Sequence, residues 1–111
     1  MPNKIDNILK QFIMETSKML GNRLKKVILY GSYARGDYNK NSDIDIMILT
    51  DLNDNELVEY RIKIRDLACD LELENDIIIS PIVRNIEKYN NRINIVPFYM
   101  NVQKEGVVLH G

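Results

Sequence analysis

The sequence predicts an α/β domain in which amphipathic helices alternate with short buried strands. Two observations carry this. Apolar residues recur at helical spacing in a window near the N-terminus and in another in the middle of the chain. Between and after these windows lie brief β-branched, apolar runs closed off by Gly, Asn or Pro.

The first helix spans about residues 3–20. Ile5, Ile8, Leu9, Phe12 and Ile13 lie on one face, Met19 and Leu20 follow, and Gly21 is the expected C-terminal cap. Val27-Ile28-Leu29-Tyr30 reads as a buried strand that ends at Gly31-Ser32. Residues 33–42 are polar and contain Gly36, Asn39 and Asn41, so a loop is expected, with a helical turn after Ser32. Residues 43–50 form strand two. A helix over about 53–73, capped by Asp51 or Asn53, places Leu57, Ile64, Leu67, Ala68 and Leu71 on one face. Ile77-Ile78-Ile79 is the third strand, expected to stop at Pro81. A short helix near 85–92 follows. Another over 97–105 starts at Pro97 and ends at Gly106, and Val107-Val108-Leu109 makes a final edge strand.

The chain has 111 residues, the size of one domain, taken here as residues 1–111. Fifteen basic and 16 acidic side chains give a net charge of −1, which argues against a general nucleic-acid binder. No apolar run approaches the roughly 20 residues that span a bilayer, so no membrane association is expected. The N-terminal residues lack a signal-peptide layout, and Cys69 has no cysteine to pair with, so the expected location is cytoplasmic. One His and one Cys cannot build the usual zinc site, so any metal must be held by oxygen.

The informative stretch is Gly31-Ser32-Tyr33-Ala34-Arg35-Gly36, followed by Ser42-Asp43-Ile44-Asp45. On a strand, Asp43 and Asp45 share one face, with Cα atoms roughly 6–7 Å apart. Two carboxylates that close repel each other unless a cation joins them, and together they suit Mg2+. Asp76, if it opens the neighbouring strand, completes a three-carboxylate cluster able to seat two metal ions. The Gly31-Ser32 turn presents free backbone N–H groups and a hydroxyl, which suit a phosphate, and Gly31 permits close approach. Arg35 lies one turn on, within reach of a phosphate oxygen. One end of the site therefore holds phosphate and the other metal, which is what a nucleoside triphosphate with Mg2+ requires. Gly-Ser, ten residues, then Asp-x-Asp arises by composition alone in about 1 in 1,000 chains of this kind.

Each residue also has a plainer reading. Arg35 can pair with Asp37, Ser42 can shape the turn before strand two, and Asp76 can be a solvated strand-end acid. Cys69 reads as inert packing, His110 as a frayed end, and the run Arg61, Lys63, Arg65 and Asp66 as a solvated helix face. There is no Gly-x4-Gly-Lys phosphate loop, no calcium-hand pattern and no Gly-x-Ser-x-Gly elbow.

The Gly31-Ser32 and Asp43-x-Asp45 pattern, with its fuller Gly-Ser-Tyr-Ala-Arg-Gly and Ser-Asp-Ile-Asp forms, resembles the signature of the DNA polymerase β-like nucleotidyltransferases. The short minimal nucleotidyltransferases are the most similar group, and the resemblance spans essentially the whole chain. It implies a two-layer α/β (α+β) fold with a short mixed sheet and helices mainly on one face. It implies two Mg2+ ions at Asp43, Asp45 and Asp76, and ATP as nucleotide donor on Gly31 and Ser32, with Arg35 and Ser42 beside them. Many members of the group act as antitoxins to a HEPN-domain RNase toxin, and some transfer AMP to a tyrosine of that partner. The expected function is therefore transfer of AMP to a partner hydroxyl. One alternative is a non-catalytic antitoxin that occludes its partner, within a homo- or hetero-oligomer. Another is an antibiotic-modifying nucleotidyltransferase, which normally carries a second domain.

Overall fold

The computed structural model describes residues 3–111. Helix α1 runs from Asn3 to Leu20 and hands over through a 3-10 turn, Gly21–Arg23, to strand β1, Leu24–Tyr30. A short helix α2, Ser32–Arg35, follows at once. Strand β2 is Ile44–Thr50, helix α3 Asp54–Asn75 and strand β3 Ile79–Asn85. Helices α4, Ile86–Arg92, and α5, Pro97–Glu105, lead to strand β4, Val107–His110. The four strands form one mixed sheet in the order β3-β2-β1-β4. β1 pairs antiparallel with β2 and β4, and β2 pairs parallel with β3.

The central strands are apolar on both faces because both faces are covered. On one side Ile44, Ile46 and Ile48 of β2 pack with Val27 and Leu29 against α1 and α3, through Ile8, Phe12, Leu57, Ile64 and Ala68. This is the larger core. On the other side Met47 and Leu49, with Ile28 and Tyr30, pack against Tyr89 of α4 and Val102 of α5. Asp45 alternates in phase with Met47 and Leu49, so it continues the line of this second, smaller face to the end of the sheet.

Asn53 starts α3 with a capping box: its side chain accepts from the Glu56 N–H, and Glu56 accepts from the Asn53 N–H. Arg23 ties this start to β1 and β2 by bonding both Glu56 and Asp51.

Strand three differs from the expectation. It begins at Ile79 and runs through Pro81 to Asn85. Proline is tolerated because β3 is an edge strand, where an outward-facing residue forfeits no ladder bond. That outer edge is bonded by side chains of α3. Glu72 accepts from the Ile79 N–H, Arg65 donates to the Ile79 carbonyl, and Arg61 donates to the Val83 carbonyl. Arg61 and Arg65 are therefore not merely a solvated charge run. Cys69 is exposed rather than packed, and His110 is half-buried in β4 opposite Val27 rather than frayed.

Candidate active site

The site lies where β1 and β2 end together. Tyr30, the last residue of β1, stands opposite Asp45 in the antiparallel register. The chain then turns sharply at Gly31, whose backbone takes φ +77°, in the left-handed half of conformational space. A side chain there meets a second obstacle. A Cβ on Gly31 would lie 2.3 Å from Oδ2 of Asp45. The glycine thus brings the turn backbone directly onto the carboxylate.

Beyond Gly31 the chain forms α2, closed by Gly36 at φ +88° with its N–H bonded to the Ser32 carbonyl. Ser32 is half-buried at the start of α2. Tyr33 is buried and stacks on Tyr38 with centroids 4.7 Å apart, which fastens the loop to the helix that precedes it. The Asn39 N–H donates to the Ser42 hydroxyl at 2.9 Å, and the Ser42 N–H to the Asn39 carbonyl. Ser42 therefore shapes the turn that delivers Asp43 to β2.

Asp43 and Asp45 flank the buried Ile44, which anchors them in the main core. Both are half-buried. Burial raises the Asp45 pKa above the usual carboxylate range, and repulsion from Asp43 raises it further. Arg35 offsets part of this, and Glu105 adds to it. The Tyr30 hydroxyl is pushed up to about 12 by burial and by the Asp45 charge. The pair thus concentrates negative charge that Arg35 offsets only in part, a condition that a divalent cation corrects.

Asp76 is placed differently from the expectation. It does not open β3. It ends α3 in the left-handed conformation at φ 52°, exposed, with its N–H on the Glu72 carbonyl. It lines a shallow groove with Asp43, Ser42 and Glu72. The β3 residue in register with Asp45 is Ser80. Among the described residues no three acidic, His or Cys side chains gather closely enough to hold an ion together. The three-carboxylate cluster inferred from the sequence is therefore not assembled, because α3 runs on to Asn75 and β3 starts three residues after Asp76.

Arg35 bonds Asp37 at 3.2 Å, as its plainer reading anticipated, and also both oxygens of Glu105 at 3.2 Å. Glu105 accepts from the Gly31 N–H as well, at 3.2 Å. Nothing local in the sequence marks Glu105. It is one acid among 16, at the far end of the chain, and only the packing of α5 against β1 carries it to Gly31.

The class of protein defined by this sheet and turn is borne out by comparison with known proteins. A family model for the nucleotidyltransferase domain matches residues 9–108. The chain belongs to the nucleotidyltransferase domain family and is a nucleotidyltransferase. It is 40% identical over 105 residues to a candidate protein adenylyltransferase of Methanocaldococcus jannaschii, covering 95% of this chain and 97% of the relative. A second candidate protein adenylyltransferase of that organism is 41% identical over 80 residues, which is 72% of this chain and 79% of the relative. Among solved structures, a candidate nucleotidyltransferase from Sulfolobus solfataricus matches with a TM-score of 0.60 and 25% identity, over 95% of this chain and 80% of that one. A toxin–antitoxin structure with AMP-PNP shares the fold, with a TM-score of 0.56 and 23% identity, over 92% and 73% of the two chains. No helix among the described residues is long and apolar enough to cross a membrane.

Proposed function

We propose that this chain transfers AMP from ATP, with Mg2+, to a hydroxyl on a partner protein. The single observation that carries the reading is the close approach of Gly31 to Asp45, which sets a phosphate-accepting turn beside the carboxylate pair that Asp45 forms with Asp43. Names of relatives support the acceptor class, since those matched over most of their length are candidate protein adenylyltransferases.

The donor set fits magnesium. That ion is commonly held by one or two carboxylates, with water and substrate phosphates completing its shell, so Asp43 and Asp45 suffice without a third acid. When bound, it would neutralise charge on the triphosphate and the leaving pyrophosphate. Asp43 and Asp45 would hold it. Gly31 and Ser32 offer the triphosphate N–H and hydroxyl donors, and Gly31 keeps the path clear of side-chain atoms. Arg35, released from its acid partners, supplies a guanidinium to the same phosphates. Catalysis on this scaffold is mostly positioning and charge neutralisation.

A HEPN-type toxin with an acceptor tyrosine is the partner we propose, in an antitoxin role. The test uses the product of the neighbouring gene, purified and incubated with this protein, Mg2+ and ATP labelled at either the α- or the γ-phosphate. Label from the α-position alone on the partner is expected. No label from either, with protection of cells retained by an Asp43→Asn/Asp45→Asn variant, overturns transfer in favour of simple occlusion.

A further inference from the structure

We infer that the Glu105 carboxylate is a resident anion on the triphosphate turn, which an incoming nucleoside triphosphate must displace. This inference rests on the site assignment above. Glu105 uses the donors that a phosphate would use. Its Oε1 accepts from the Gly31 N–H at 3.2 Å, and both its oxygens accept from Arg35 Nη1 at 3.2 Å. A carboxylate has little reason to approach two aspartates unless such donors hold it there.

Its position is built into the fold. Gly106, the next residue, is crowded against β1 and its own helix. A Cβ there would lie 2.4 Å from Cγ2 of Ile28 and 2.4 Å from the Val102 carbonyl oxygen. The Gly106 N–H bonds that same carbonyl at 2.8 Å. Glycine at 106 thus seats the end of α5 on the sheet and delivers Glu105 over Gly31. β4 then pairs with β1 from Val107 onward.

Charge balance makes the two occupants exclusive. Arg35 already faces two acids, Asp37 and Glu105. A polyphosphate placed beside Asp43, Asp45 and Glu105 would crowd anions around one guanidinium and a magnesium ion. Moving Glu105 away frees the Gly31 N–H and the guanidinium together. Glu105 is therefore a residue that sets nucleotide affinity.

The test compares binding of ATP with Mg2+ to wild type, Glu105→Gln and Asp37→Asn, with a melting curve for each to confirm folding. Glu105→Gln is isosteric but weakens the hold on both donors, so its dissociation constant is expected to fall about three- to tenfold. Asp37→Asn removes equal charge from the same guanidinium without touching the Gly31 N–H, and less than half of that gain is expected. Unchanged or weaker binding by Glu105→Gln, or an equal gain in Asp37→Asn, overturns displacement while leaving the nucleotide site standing. Absence of binding in all three proteins overturns the site assignment and this inference together. Should Glu105→Gln misfold, Glu105→Asp, whose shorter carboxylate also loosens the hold on both donors, takes its place with the same direction of change expected. Unchanged or weaker binding of ATP and Mg2+ by that variant refutes displacement.

Discussion

Replacing Asp45 by asparagine is expected to stabilise the protein without metal or nucleotide while abolishing its binding of both. Asp45 is half-buried beneath Gly31, with Asp43 two residues away and Glu105 close enough to raise its pKa further. A carboxylate whose folded pKa lies above its unfolded value is disfavoured, when ionised, in the folded state. The cost is absent below the unfolded value of 3.8, grows as pH rises through the folded pKa, and is complete at neutral pH. At the roughly 6–7 Å strand spacing of alternate residues, repulsion from Asp43 through a half-solvated medium is about 1 kcal/mol. Asparagine keeps the shape and removes the charge. For a domain of this size that gain raises Tm by about 4 °C. Thermal melts in EDTA at pH 7 and pH 3.5 measure it: the variant should melt higher at pH 7 and level with wild type at pH 3.5. ATP with Mg2+ should then raise the Tm of wild type alone. A variant less stable than wild type at pH 7 in EDTA would refute the reasoning, because Asp45 would then be stabilised by its neighbours rather than strained by them.

Three further outcomes follow from the packing. Gly31→Ala sets a Cβ against Asp45 Oδ2 at a positive φ, so it should lose nucleotide binding and cost about 1–3 kcal/mol in urea unfolding. Thr16 is fully buried on α1 with no partner for its hydroxyl among the described residues, so Thr16→Val should stabilise by about 1 kcal/mol in the same assay. The Arg23 guanidinium, with help from the Asn53 N–H, holds Glu56 down at about 2. Its contribution is therefore present above the ordinary value of 4.5 and lost as pH falls toward 2, and Glu56→Gln should flatten that part of the acid-unfolding profile.

The order of elements was legible because α1 and α3 write their buried faces at helical spacing, and β1 and β2 are apolar runs closed by Gly31 and Asp51. Gly31-Ser32 and Asp43-x-Asp45 were legible because one turn and one strand hold them within 15 residues. What failed to read depended on contacts distant in sequence. Pro81 looks like a strand breaker until β3 is known to be an edge whose outer groups Glu72, Arg65 and Arg61 satisfy. Asp76 looks like a strand-opening acid, yet α3 extends past the point where its apolar face ends and leaves Asp76 as the cap. Glu105 reaches Gly31 from 74 residues away, a juxtaposition that only the docking of α5 creates.

Transfer of a nucleotide to a protein acceptor by the Asp43/Asp45 pair and the Gly31 turn is tested by the amount of pyrophosphate released per partner molecule modified, with ATP and Mg2+, by wild type and by Asp43→Asn/Asp45→Asn. Wild type should release one pyrophosphate for each nucleoside monophosphate added to the partner, and the variant should give neither product. Partner modification that persists in the variant, or release of inorganic phosphate in place of pyrophosphate, would contradict it.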